Sequence, residues 1–253
     1  MVLALLDAGV GVALTAALAI AAVGSGALTR SAGAIAFAFG AVIVVVGGFP
    51  FLALLVLFVV ASVLATRFHF EEKKRRNVHE GTAGERGVSN VVAHIVIPTA
   101  LVLVGGVESR GLPVGPLAVL YTAALAFGAA DTFASEFGVL AGRARSILSG
   151  RPVAPGTNGG VSLLGELWAA VGAFTTAIVG IGLFAVFMAP HVPVGVFFVA
   201  ATVGGFLGCQ ADSVLGEVLE NRGVLTKGST NFFGMLAAVG IAAGLLVALG
   251  AWA

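Results

Sequence analysis

Long apolar runs interrupted by three polar blocks organise this chain. Residues 67–90 read RFHFEEKKRRNVHEGTAGERGVSN, residues 131–162 read DTFASEFGVLAGRARSILSGRPVAPGTNGGVS, and residues 209–231 read CQADSVLGEVLENRGVLTKGSTN. Nearly everything between them is apolar. A membrane crossing needs about 20 mainly apolar residues. The pattern predicts eight helical spans, near 2–24, 32–49, 51–67, 89–107, 113–134, 163–189, 193–215 and 232–252. The second and third are separated only by Gly47-Gly48-Phe49-Pro50, where Gly and Pro punctuation favours a tight hairpin; one kinked helix there would reduce the count to seven. The expected fold class is an all-α polytopic membrane bundle, with residues 1–253 forming a single integral-membrane domain.

Composition supports this reading. Hydrophobic residues make up 59% of the chain and charged residues 10%, against roughly 25% charged in soluble domains. The mean hydropathy is +1.10. A net charge of +1 argues against a basic surface for nucleic acid. Cys209 is the single cysteine, which excludes an internal disulfide and a multi-cysteine metal cage. The first apolar run lacks a basic leader and carries Asp7, so it reads as a retained span. The 37 glycines suit close helix packing in lipid.

Basic residues set the expected orientation. Lys73, Lys74, Arg75, Arg76 and Arg86 follow the third span, Arg143, Arg145 and Arg151 the fifth, and Arg222 and Lys227 the seventh. Successive blocks are two spans apart, so all three emerge on one face, and the positive-inside rule makes that face cytoplasmic. Arg30 agrees. The opposite loops, at Glu108-Ser109-Arg110 and Pro190-His191-Val192-Pro193, are short and nearly uncharged.

The second and third blocks resemble each other. Asp131-Thr132-Phe133-Ala134-Ser135-Glu136 aligns with Asp212-Ser213-Val214-Leu215-Gly216-Glu217, and each is followed by a basic loop and a Thr-Asn pair, Thr157-Asn158 and Thr230-Asn231. A parallel internal repeat would bring the two acidic helix ends together. Carboxylates inside apolar spans are costly and normally face a polar interior. Mg²⁺ takes one or two of them together with substrate phosphate. Asp131 and Asp212 fit that need, with Glu136 and Glu217 as further metal candidates. Each Glu lies about 140° around an ideal helix from its Asp, so one ion could not take both unless the helix ends or unwinds. Structural ion pairs with Arg143 or Arg222 are the plainer alternative.

The glycine-rich runs Pro155–Ser162 and Lys227–Asn231 precede spans. Helix N-termini favour anions, and Thr157, Ser162, Ser229 and Thr230 could donate to phosphate; ordinary N-capping uses the same residue types. No G-x-x-x-x-G-K-[ST] sequence occurs. In the first block, Lys73 to Arg76 would attract anionic headgroups, or Arg75 and Arg76 would clamp a phosphate. His79 reads as a structural hydrogen-bonding residue rather than a metal ligand.

Taken together, K-R-R-N-V-H-E-G-T-A-G-E-R-G-V-S-N-V at 74–91, D-T-F-A-S-E-F-G at 131–138, T-N-G-G-V-S at 157–162, G-C-Q-A-D-S-V-L-G-E at 208–217 and T-K-G-S-T-N-F at 226–232 resemble the integral-membrane family labelled domain of unknown function ninety-two, which includes the phytyl-phosphate kinase of chloroplasts and archaeal homologues. The resemblance covers the whole chain. It implies a CTP-dependent kinase that converts an isoprenoid monophosphate to the diphosphate. It implicates Asn77, Glu80, Arg86, Asn90, Asp131, Glu136, Thr157, Asn158, Asp212, Ser213, Glu217, Lys227 and Asn231. The expected partners are Mg²⁺, CTP or another nucleoside triphosphate, and an isoprenoid phosphate lipid, with Arg75, Arg76, Arg86 and Lys227 neutralising phosphate charge. A membrane cytidylyltransferase is the alternative enzyme, and a small-solute transporter the alternative of a different class.

Overall fold

The computed structural model describes residues 2–106, 113–189 and 191–252, with side chains from residue 8 onward. Among the described residues nine α-helices run in chain order: α1 Val2–Gly24, α2 Arg30–Val46, α3 Phe49–Arg67, α4 Phe70–Arg75, α5 Val88–Gly106, α6 Val114–Gly138, α7 Leu163–Phe187, α8 Val194–Leu215 and α9 Lys227–Ala248. Six of them, α3 and α5 through α9, are long and apolar enough to cross a membrane. Among the described residues, the stretches Ala8–Gly24 and Arg30–Val46 are apolar but shorter, so six of the eight expected spans are met there. Gly48, at φ 91°, separates α2 from α3, and Pro50 sits in the first turn of α3, where its missing N–H costs nothing. Residues 32–67 therefore form two helices rather than one kinked helix. The loops at Glu108-Ser109-Arg110 and Pro190 lie outside the described residues.

α6 is the axis of the bundle. Every residue from Gly115 to Ala130 is buried, as expected of a helix that is apolar all round. It packs against α7, α8, α9, α3 and α5. Small residues bring the backbones together where lipid supplies no hydrophobic drive. A Cβ on Gly172 would lie 2.7 Å from the Ala129 carbonyl oxygen, and one on Gly208 would lie 2.9 Å from that of Gly234.

The all-α expectation needs one correction. The loop between α6 and α7 forms a small antiparallel sheet of β1 Ala144–Ser146, β2 Pro152–Val153 and β3 Gly160–Val161, in the order β2-β1-β3. Strands this short carry no readable alternation, so the pattern of apolar positions gave no sign of them. The sheet and the loop beside it are held against the turn that follows α8, because Ser146 Oγ donates to Glu217 Oε1 at 2.6 Å and Asn221 Nδ2 donates to the Asn158 carbonyl at 3.2 Å. Gly159 makes the approach possible. Its φ is +75°, and a Cβ there would lie 2.4 Å from the Glu217 Cβ. Gly159→Ala is expected to destabilise the protein by about 1–3 kcal/mol, measured as a lower melting temperature in detergent, with increased proteolysis between residues 142 and 162.

The three polar blocks meet at one end of the bundle. Lys227 Nζ donates to Glu80 Oε2 at 2.8 Å, joining the first and third blocks. Lys73 Nζ donates to Glu136 Oε2 at 2.7 Å, joining the first and second. The α1–α2 loop, which leads into Arg30 at the start of α2, is tied to the same end, with the Arg86 amide donating to the Ala27 carbonyl at 2.9 Å.

Candidate active site

Where the blocks meet they enclose a polar cavity of about 490 Å³. At its floor Asp131 of α6 and Asp212 of α8 face the buried Asn231 of α9. One end of the Asn231 amide lies 3.3 Å from Asp131 Oδ2. The other lies 3.3 Å from Asp212 Oδ1 and 3.0 Å from the Lys227 carbonyl. An amide has a single donating end. Pointing the nitrogen at Asp212 and the Lys227 carbonyl gives it two acceptors, which leaves the amide oxygen facing Asp131 Oδ2 with no donor between them. Two oxygens held this way suit a cation. Gly234 permits the arrangement, since a Cβ there would lie 2.8 Å from the Asp212 Cβ.

The walls come from all three blocks. Asn77 and Glu80 line one side, Thr157 and Asn158 in the glycine-rich loop another, and Ser213 and Lys227 a third. Lys227 stands at the mouth with its side chain 60% exposed and paired to Glu80. Burial pushes the Glu80 carboxyl up, but the Lys227 ammonium, with help from Arg86, holds it below the ordinary value. The loop presenting Glu80 is folded by Glu85, whose carboxylate accepts from the Ala83 and Thr82 amides at 2.7 and 3.0 Å. Those bonds lower its pKa to about 2. Among the described residues no three His, Cys, Asp or Glu side chains converge as a metal cage. Mg²⁺ is bound through one or two carboxylates plus substrate phosphates, and Asp131, Asp212 and Asn231 fit that more open donor set.

Residues 13–235 match the family described as integral membrane protein DUF92. The chain belongs to that family. An uncharacterized membrane protein of Methanocaldococcus jannaschii is 30% identical over 201 residues, 79% of this chain and 77% of the relative. An uncharacterized membrane protein of Synechocystis is 29% identical over 201 residues, covering 76% and 74%. Protein PGR of Arabidopsis thaliana is 29% identical over 192 residues, covering 70% and 66%. No solved structure matches. Membership in this family and the apolar helices make the chain an integral membrane protein.

Several expected site residues lie elsewhere, and Glu136, though it lines the cavity, is engaged by partners outside the Asp131–Asp212 cluster. α6 stays helical through Glu136, so that carboxylate points away from Asp131. It accepts from Lys73 and from Thr66 Oγ1, each at 2.7 Å. The helix after Asp212 does loosen, into a π turn at Gly216–Glu220, yet Glu217 turns to Ser146 and the Leu148 amide. Each Glu carboxylate is taken by partners other than its Asp. Arg75 is exposed on α4 and does not line the cavity. Arg76 pairs with Glu72 and donates to the Val139 and Leu140 carbonyls at 3.3 and 3.4 Å. Ser229 completes a capping box with Thr226 at the start of α9. Arg86 and Asn90 are bonded to each other at 2.8 Å behind the cavity wall. Arg86 is 6% exposed, and this burial lowers its pKa against the pull of Glu136 and Glu80. The Thr-Asn pairs are not equivalent either. Thr157-Asn158 precedes the Ser162 cap of α7, whereas Thr230-Asn231 lies inside α9, and this weakens the reading of an internal repeat.

The sequence reading missed three residues. Lys73 is not part of a surface anchor but is fully buried, capping the end of α3 through the Ala65 and Thr66 carbonyls at 2.9 and 3.2 Å. Nothing in a run of four bases marks which one turns inward. Glu166 and Glu220 both line the cavity. Glu166 accepts from Gln210 at 2.9 Å and is the only charge in α7, a signal that the cost of charges in lipid makes readable. Glu220 accepts from Thr230 at 3.1 Å; the alignment of the two acidic motifs drew attention to Glu217 instead.

Proposed function

We propose that this protein is a CTP-dependent kinase that phosphorylates an isoprenoid monophosphate to the diphosphate at the cytoplasmic membrane face. The observation that carries the reading is the Asp131–Asn231–Asp212 cluster at the floor of a polar cavity, with Lys227 at the mouth and a glycine-rich loop on the wall. Phosphoryl transfer asks a protein mainly for positioning and for charge to offset the phosphates. Asp131, Asp212 and the Asn231 carbonyl would hold Mg²⁺, which when bound neutralises phosphate charge. Lys227 would exchange Glu80 for a phosphate oxygen. Thr157 and Asn158 would orient the nucleotide. An acceptor phosphate oxygen attacks the γ-phosphorus, the bond to the β-bridging oxygen breaks, and CDP leaves with that electron pair. The acceptor is already an anion, so no strong general base is required.

A transporter would need polar groups along a path through the bundle. The central stretch of α6 is apolar apart from Tyr121 and Thr122, whose hydroxyls are bonded to the Phe51 and Ala118 carbonyls. The one-sided placement of charge favours an enzyme.

Nucleotide binding tests the reading. Purified protein is expected to bind a fluorescent CTP analogue only with Mg²⁺ present, and unlabelled CTP should displace it. Binding that ignores both Mg²⁺ and unlabelled CTP would refute a nucleotide site.

Orientation has its own test. Cysteines replacing the exposed Thr82, Arg151 and Arg222, one at a time in a Cys209→Ala background, are expected to be shielded from an impermeant thiol reagent in intact cells and labelled in inverted vesicles. Labelling of any one from outside would overturn the cytoplasmic assignment.

A further inference from the structure

A second cavity lies beside the first and has the opposite character. It occupies about 150 Å³ between α1, α2, α3 and α5, and its walls are almost wholly apolar, with Leu18, Ala36, Leu55 and Val59 among them. One end is polar. Ser62, Arg86, Asn90 and His94 line it there. Ser62, Arg86 and His94 are 1%, 6% and 4% exposed. Each carries a buried polar atom without a partner among the described residues: Ser62 Oγ, Arg86 Nε and His94 Nε2. Such atoms are normally satisfied, by protein or by something bound. Three of them at one end of one apolar cavity call for a ligand with a polar head and an apolar body.

The sign of the head follows from the donors. Arg86 uses Nη1 on Asn90 at 2.8 Å and Nη2 on Thr66 at 3.2 Å, leaving Nε–H free. His94 Nδ1 donates to the Asn90 carbonyl at 2.9 Å, so Nε2 of the neutral ring presents a lone pair to the cavity. Ser62 adds a hydroxyl. A guanidinium N–H and a hydroxyl that donate, with an imidazole nitrogen that accepts from a P–OH, together suit a phosphate monoester. The wall they form also borders the polar cavity, since His94 Nε2 is 3.8 Å from Asp131 Oδ2.

The size of the apolar part limits the tail. A dry cavity of about this volume accepts a benzene-sized solute, so it holds roughly one five-carbon unit of a single chain and is too narrow for the paired chains of a phospholipid. The rest of the chain must leave through the side. Val60, 49% exposed, lines the cavity on α3, which places the mouth at the lipid-facing surface.

We propose that this cavity is the acceptor's site: a single-chain lipid phosphate enters from the membrane between α1 and α3, its first carbons fill the space against Ala36 and Val59, and its phosphate lies on Arg86, Ser62 and His94 beside Asp131. The assignment rests on the kinase reading for the role of the lipid but not for its binding, and the experiment keeps the two apart by omitting nucleotide. Protein in lipid nanodiscs is photolabelled with farnesyl phosphate carrying a diazirine near the head of its chain, and the labelled peptides are mapped. Label is expected in Leu18–Ala22 and Val56–Ser62. Unlabelled farnesyl phosphate should compete, and farnesol should compete about tenfold or more weakly, because it leaves the charged donors unmatched. Ala22→Phe and Ala36→Phe, which fill the cavity, should each reduce labelling about tenfold while Mg²⁺-dependent binding of the CTP analogue stays within about twofold of the parent. Label confined to α7–α9, equal competition by farnesol, or undiminished labelling of both folded variants would overturn the proposal. The mapping on unsubstituted protein decides the matter even if a variant fails to fold. Labelling as expected without any phosphoryl transfer to the lipid would instead sink the kinase reading and leave the lipid site standing.

Discussion

Asp131→Asn and Asp212→Asn are each expected to lower turnover by about 10²–10³-fold, on the scale seen when a single transition-state contact is removed. Their melting temperatures should stay close to the parent's. Both carboxylates border the polar cavity; Asp212 accepts from the Asn231 amide, while Asp131 faces the amide oxygen and has His94 Nε2 3.8 Å away. Asparagine keeps their size and hydrogen-bonding capacity but removes the anionic oxygen a hard cation needs. Activity measured over a Mg²⁺ titration, beside thermal melts, checks the prediction. Near-parental activity at low Mg²⁺ in either variant would remove that carboxylate from the metal site. If these carboxylates were only structural, the pattern would reverse, with stability lost and activity kept.

Lys73→Met should do the opposite, destabilising the protein by about 3–5 kcal/mol, as removal of one partner of a buried ion pair does. Lys73 is wholly buried, and it joins the end of α3 to Glu136 on α6. Its loss would leave Glu136 charged with only Thr66 and the more distant Arg86 to answer it, and would strand two carbonyls of α3. Unfolding in detergent, followed by tryptophan fluorescence, gives the measurement. The double variant Lys73→Met/Glu136→Leu should recover part of the loss, because no buried charge then lacks its partner. A single variant as stable as the parent would show that this ion pair does not hold α3 to α6.

Local pattern along the chain and packing in the bundle divide what its residues make legible. Six of the eight expected spans, the break at Gly47–Pro50, and the gathering of polar blocks at one end depend on local pattern or on spacing between spans and are readable. Asp131 and Asp212, acids at the ends of apolar runs, border one polar cavity together with Asn231; an acid in such a run must find a polar interior. What pattern could not supply was direction around a helix once the bundle was built. Glu136 and Glu217 share motifs with the two aspartates, yet five residues of helix turn them toward Lys73 and Ser146. Lys73 looks like its three basic neighbours and is distinguished only by where α4 packs. The small sheet at 144–161 depends on pairings between two- and three-residue strands and on Gly159 fitting against Glu217, which is tertiary information.

The most direct test of the central claim follows the label of the nucleotide. Purified protein is supplied with Mg²⁺, farnesyl phosphate and CTP carrying ³²P at either the γ or the α position. The account predicts that γ label moves to the lipid, which becomes farnesyl diphosphate, while α label remains in CDP. Transfer of α label to the lipid with release of pyrophosphate would identify a cytidylyltransferase, and no transfer from either position would contradict the kinase assignment outright.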